Sequence, residues 1–155
     1  CVCNLNLMVE ADNPIQEDER LFRSISDDDV DPLSGAILES AVDLEGTSVD
    51  REKYLPDLTK IPLRAKGASC HAVTTPRRLP KVVHPSGASA ENPPHSYEVF
   101  VLHDPKEGND AHSEIRVGRH KELDYPGNRK PRSAMMKEAL RSEIAAAMIL
   151  HMKHA

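Results

Sequence analysis

The sequence predicts an α+β domain: a mostly antiparallel sheet of short strands with a long C-terminal helix packed on one face. Three observations carry that expectation. Residues 97–102, Tyr-Glu-Val-Phe-Val-Leu, form a strand-like run, and a second alternating run follows at 112–117, the pattern of a hairpin closed by a polar loop. Residues 133–151 repeat apolar side chains at helical spacing. Elsewhere the apolar runs are short and punctuated by the 12 prolines, which favours many brief elements over a few long ones.

Length and composition bound the rest. At 155 residues and 39% hydrophobic content, a single domain spanning 1–155 is expected, large enough to bury a substantial core. That core must be aliphatic, because the chain has no Trp, two Phe and three Tyr. No apolar run approaches the roughly 18–20 residues that span a bilayer. The first residues, Cys-Val-Cys-Asn-Leu-Asn-Leu-Met-Val, lack the basic and long apolar segments of a secretory signal. Cys1, Cys3 and Cys70 cannot make an even disulfide framework. Cys1 and Cys3 have no second pair to complete a zinc site, so no metal is expected. Reduced thiols favour the cytoplasm, and a cytoplasmic protein without membrane contact is the expectation.

Charge is uneven. The net value is −5, yet residues 1–60 carry fifteen Asp and Glu against five Lys and Arg, and residues 61–155 carry ten against fifteen. The two parts are expected to attract each other within one fold.

Taken in order, residues 5–9 alternate as a first strand and 21–25 (Leu-Phe-Arg-Ser-Ile) as a second. Asp27-Asp28-Asp29 lacks the spacing of a calcium loop and reads as a solvated turn. Asp31-Pro32 followed by Leu33, Ala36, Ile37, Ala41, Val42 and Leu44 predicts a capped helix that stops at Gly46. Residues 47–54 read as a polar connection with room for a short strand and a turn. Residues 61–64, 69–74 and 79–84 are short strands beside Pro62, Pro76 and Pro80. Residues 85–94 form a loop of small residues and proline, and 116–132 are basic and rich in turns. Ser133 caps the last helix, whose stripe is Met135, Met136, Ala139, Leu140, Ile144, Ala147, Met148 and His151. Core packing is the commoner use of such a methionine stripe.

Groups able to do chemistry crowd the 103–114 loop: His103, Asp104, Asn109, Asp110, His112, Ser113 and Glu114. Asp104-Pro105 followed by Asn-Asp-Ala-His-Ser-Glu-Ile at 109–115, with Leu21-Phe22-Arg23 and Ser48-Val49-Asp50-Arg51 earlier, resembles a group of small bacterial proteins. In that group the last motif is similar to Asn-Pro-Ala-His-Ala-Glu-Ile; here Asp110 replaces the proline and Ser113 the second alanine. The islands cover about half the chain. The resemblance implies a bacterial or phage origin and a shared fold, and no activity.

Two enzyme readings follow. The order Arg23, Ser48, Glu114 is similar to that of one class of NAD-dependent ADP-ribosyltransferases. There an early arginine anchors pyrophosphate, a serine orients the nicotinamide ribose and a late glutamate faces developing oxocarbenium charge. Only under this alternative is NAD implied. Separately, His103-Asp104 and His112-x-Glu114 can supply a general base with an orienting carboxylate, or ligands for a metal. The expected catalytic set is therefore Arg23, Ser48, His112 and Glu114, with His103, Asp104 and Asn109 binding substrate. A basic run of Arg116, Arg119, Lys121, Arg129, Lys130 and Arg132 points to phosphate, but the overall acidity disfavours nucleic acid. The leading expectation is an accessory or protein-interaction module with a protein partner.

Overall fold

The computed structural model describes residues 14–83, 97–119 and 134–151. Strands β1 (Leu21–Ile25), β2 (Thr47–Arg51), β3 (Cys70–Thr74), β4 (Val82–Val83), β5 (Tyr97–His103), β6 (His112–Arg119) and β7 (Ile149–His151) accompany, among the described residues, one α-helix, α1 (Ala134–Ala146), and four single-turn 3-10 helices. Among the described residues they make one open seven-stranded sheet in the order β4-β5-β6-β2-β1-β3-β7, every pair antiparallel. The α+β class stands, and none of the described helices is long and apolar enough to cross a membrane.

Strand alternation sends two sets of side chains to opposite faces. On one face Leu21, Ile25, Val49, Ala72, Tyr97, Val99, Ile115 and Val117 join Leu140, Ile144, Ala145 and Met148 in a single buried cluster. Ile37, Ala41 and Val42 close its edge. At roughly 25 cal/mol per Å² of apolar surface removed from water, this layer is the main source of stability. The other face carries Phe22, Ser24, Ser48, Asp50, His112 and Glu114, placed there by the pairings Phe22↔Asp50, Ser48↔Glu114 and Asp50↔His112.

The hairpin expected from 97–102 and 112–117 forms, with register Tyr97↔Arg119 through His103↔Ser113. Three other expectations are corrected. The C-terminal helix is not long: α1 spans 13 residues, and the chain then crosses to pair with β3 as β7. Its last turn tightens through Ala147 N–H to the Ile144 carbonyl and Met148 N–H to the Ala145 carbonyl. The Thr74 hydroxyl takes the Ala147 carbonyl at 2.8 Å, which satisfies a helix-end acceptor and frees Ile149-Leu150-His151 to complete a sheet edge. His151 therefore belongs to the strand, edge-on to Phe22, and not to a helical stripe. Met135 and Met136 lie where no side chain is described.

The helix expected after Asp31 is absent. Asp31 Oδ1 accepts from Leu33 N–H and Oδ2 from the Ser34 hydroxyl, Gly35 takes φ 74°, and Val30 bridges to Ile37. A capping aspartate bonded this locally makes a turn instead of a helix start, and the left-handed glycine reverses the chain. Leu33 is 96% exposed at the turn tip. Residues 61–64 form no strand: Pro62 lacks an N–H, and its carbonyl lies 3.0 Å from His71 Nε2. Of the third short strand, Val82–Val83 remains. The strand expected at 5–9, the 85–94 loop and most of the basic 116–132 segment lie outside the described residues.

The stretch read as a polar connection contains a central strand. β2 lies between β1 and β6, with Thr47, Val49, Asp50 and Arg51 buried. Its end carries a fully buried cation: the Arg51 side chain is 0% exposed and grips Glu19 through Nε (2.8 Å) and Nη2 (2.7 Å). Its guanidinium also lies 5.0 Å from the Tyr54 ring centroid. Removing one partner of such a pair strands the other charge in the interior. Glu19→Gln is expected to cost about 3–5 kcal/mol, read as a lowered urea midpoint. A loss under about 1 kcal/mol would mean that water reaches Arg51 and that the pair is not a structural anchor.

Candidate functional site

The site is built on the face opposite the core, where β1 and β2 part. Among the described residues their ladder covers Leu21↔Arg51 and Phe22↔Asp50. Beyond it Arg23, which alternates onto the core face with Leu21 and Ile25, bridges the gap from that side, its Nε donating to the Ala41 carbonyl (2.6 Å) and Nη1 to the Ser48 carbonyl (2.9 Å). Burial pulls the Arg23 guanidinium below its usual range, and Asp29 and Asp43 oppose that. The side chain remains a cation, since an arginine holds its proton well above any physiological pH. A cleft of about 350 Å³ opens here, lined by Arg23, Ser48, Asp43, Gly46, Asp50, Arg64 and His112 among others.

Ser48 is exposed on the cleft floor. His112 Nδ1 lies 2.6 Å from the Asp104 carbonyl oxygen and Nε2 lies 3.4 Å from Ser48 Oγ. A carbonyl can only accept, so Nδ1 carries the proton, and in the neutral ring Nε2 presents its lone pair to the serine hydroxyl. The Asp104 carboxylate stands 3.8 Å from Nδ1 and is paired to Lys106 at 2.9 Å. That Lys106 contact holds the Asp104 carboxyl below the usual carboxylate range, against burial.

Glu114 pairs in register with Ser48 on the neighbouring strand, an arrangement that sets cross-strand side chains about 4.5–5.5 Å apart at Cβ. Arg116 holds it through Nε and Nη2, both 2.7 Å from Oε2. The carboxylate reaches the cleft wall at Gly46, whose missing side chain makes room: a Cβ there would sit 2.7 Å from Glu114 Oε2. Gly46 also takes φ 149°, a backbone that favours glycine.

Of the residues predicted from sequence, Arg23, Ser48 and His112 line the cleft; the Asp104 carbonyl braces His112, and Glu114 is not among the lining residues but approaches them behind Gly46. His103 stands apart. It projects from the opposite face, stacked on Tyr54 at 5.2 Å with Nδ1 3.1 Å from Ser113 Oγ. Asn109 lies behind the cleft, donating from Nδ2 to Asp50 Oδ1 (2.9 Å). Arg116, counted in the basic run, is committed to Glu114. Asp104, His112 and Glu114 could together hold a metal ion, with one ligand atom from each lying within 4.8 Å of the others. Lys106 and Arg116 already neutralise both carboxylates, which weakens their pull on a further cation.

Sequence reasoning missed Asp50, Arg64, Gly46 and Tyr54. Asp50 sits inside the Ser-Val-Asp-Arg island, so a signal for it existed. Arg64 reaches the cleft from an irregular segment, its Nε 2.8 Å from Asp50 Oδ2, and nothing in its local sequence marks it.

Two outcomes test this geometry. Gly46→Ala is expected to cost about 1–3 kcal/mol, read by urea unfolding, because the new methyl meets Glu114 and the backbone is strained; unchanged stability would exclude the close approach. The Asp104 carboxyl, depressed in the folded chain, stabilises the hairpin tip above its ordinary range near pH 4 and ceases to as pH falls through its lowered value. Lys106→Met should move that carboxyl titration upward, followed by NMR; a titration that stays put would remove Lys106 as the cause. No family model matches the chain, nor does any curated protein or solved structure, so what this cleft does rests on the chemistry of its own residues.

Proposed function

We propose that the chain is an NAD-dependent ADP-ribosyltransferase-like enzyme and that the cleft between β1, β2 and β6 takes the nicotinamide-ribose end of its substrate. The observation that carries this reading is the register Ser48↔Glu114, which sets a hydroxyl and a carboxylate side by side with Arg23 bonded to the serine's own carbonyl. Three residues distant in sequence and ordered as this chemistry requires meet on adjacent strands. A bacterial or phage source, which the sequence islands imply, belongs to the same proposal.

In this reading the glycosidic C1′–N bond breaks and its electron pair leaves with nicotinamide. Positive charge develops on the ribose, and the Glu114 carboxylate faces it. The Ser48 hydroxyl, held by His112 Nε2, orients the ribose. An acceptor oxygen or nitrogen then bonds to C1′ and loses its proton, for which the Nε2 lone pair is the nearest base. Arg23 acts as a positioning residue, since two of its donors hold the backbone of β1 and β2 at the required spacing. Arg64 is the cation better placed at the cleft mouth, with its terminal nitrogens available to phosphate.

A second reading, an accessory or protein-interaction module, draws support from Leu33 and Leu38, exposed 96% and 39% within one loop. Nicotinamide release separates the two. Purified protein incubated with NAD should release nicotinamide, and Glu114→Gln should lower the rate by roughly 10²–10³ with the thermal midpoint little changed. Absence of release from well-folded wild-type protein, or a Glu114→Gln variant as fast as wild type, would end the transferase reading.

A further inference from the structure

Strand β2 buries Thr47, Val49, Asp50 and Arg51 and exposes Ser48 alone. The registers Ser48↔Glu114 and Asp50↔His112 make His112 the diagonal neighbour of Ser48, which puts its ring within reach of the hydroxyl. That ring is clamped. The His112 N–H donates to the Asn109 carbonyl (3.3 Å), its carbonyl accepts from the Asp104 N–H (3.0 Å), and Nδ1 donates to the Asp104 carbonyl (2.6 Å). With Nδ1 protonated, the Nε2 lone pair lies 3.4 Å from Ser48 Oγ, in the cleft that both residues line. We infer that Ser48 is a nucleophile activated by His112 and that this cleft cleaves small carboxylic esters by acyl transfer through Ser48. The activity is separate from the NAD reading and asks nothing of Glu114.

A nucleophilic hydroxyl needs a base beside it, a group that fixes the base, and charge to stabilise what forms. His112 is the base. The Asp104 backbone carbonyl fixes its tautomer, a part more often taken by a carboxylate. The Asp104 carboxylate, 3.8 Å from Nδ1, faces the imidazolium that forms when the proton moves. In the first step Ser48 Oγ bonds to the acyl carbon, its proton passes to Nε2, and the carbonyl electron pair moves onto oxygen. That oxyanion collapses, the C–O bond to the alcohol breaks, and the alcohol leaves with the proton from Nε2. Water then attacks the acyl-serine and gives a proton to Nε2; Ser48 recovers it as the carboxylic acid departs. Arg64 is a cation lining the cleft, shared with a neighbouring cavity of about 450 Å³, and its Nε is held on Asp50 at 2.8 Å. Its terminal nitrogens suit the oxyanion. A cleft of about 350 Å³ stands at the small end for ligand sites, which favours a short acyl chain.

The test uses the whole chain and two probes. Diisopropyl fluorophosphate phosphorylates an activated serine and releases fluoride; p-nitrophenyl acetate releases a coloured phenolate when it is cleaved. Wild-type protein should gain a phosphoryl adduct that peptide mass spectrometry maps to Ser48, and should release nitrophenol. Ser48→Ala removes an exposed hydroxyl, so the thermal midpoint should hold while adduct and release are both lost. His112→Gln should slow both by roughly 10²-fold or more, with its thermal midpoint measured alongside. No adduct on the wild type, an adduct on a lysine or on His112 instead, or release by Ser48→Ala as fast as the wild type overturns the nucleophile. An adduct on Ser48 whose rate ignores His112→Gln overturns the activation. Nicotinamide release from NAD without an adduct removes the acyl-transfer activity and leaves the NAD reading standing; an adduct without nicotinamide release does the reverse.

Discussion

A guanidinium with no solvent exposure has to be satisfied on every side, and in this protein Arg51 is that group. Glu19, just before β1, neutralises it with two hydrogen bonds, and the Tyr54 ring covers its face. Its backbone N–H donates to the Ala111 carbonyl at the mouth of the 97–119 hairpin, and Leu21 pairs with it across the sheet. One side chain thus ties the approach to β1, the end of β2, the turn after it and the hairpin tip. A charge this deep is tolerated because its partner is bidentate and equally sequestered; a looser arrangement would cost more in desolvation than it returned.

The cleft follows from how β2 is held. A central strand of Thr-Ser-Val-Asp-Arg has little apolar surface, so polar bonds carry much of its placement. Arg23 fixes its middle through the Ser48 carbonyl, and Arg64 and Asn109 fix Asp50, a carboxylate 8% exposed, from two directions. These bonds leave the Ser48 hydroxyl facing solvent between His112 and Glu114. The same network that stabilises the strand therefore also fixes where Ser48 stands in the cleft.

Charge distribution within the fold also has a local logic. The acidic first part and basic second part meet in Asp18–Arg77, Glu17–Lys81 and Asp50–Arg64. The first two pairs are exposed and contribute modestly to stability. The third is half-buried and organises the wall between the two cavities.

The sequence by itself marked the short strands: residues 21–25 as a brief apolar-bounded run and the 97–117 hairpin by its strand-like and alternating halves. It also marked His112 and Glu114, because dense chemistry beside a strong strand is visible locally; Ser48 stood out only through the order Arg23, Ser48, Glu114. Tertiary structure decided the rest. Asp31 and Gly35 turned a helical pattern into a reversal, since local side-chain hydrogen bonds and a left-handed glycine outcompeted a weak apolar stripe. The end of α1 became an edge strand because β3 offered unpaired backbone and Thr74 capped the Ala147 carbonyl 73 residues away. The short strand that residues 47–54 left room for became a central one because its burial rests on Glu19, Arg64 and Asn109, partners that lie 14 to 59 residues distant in the chain. Which polar residues share a cleft is set by strand order and register, and those are long-range pairings that no local window contains.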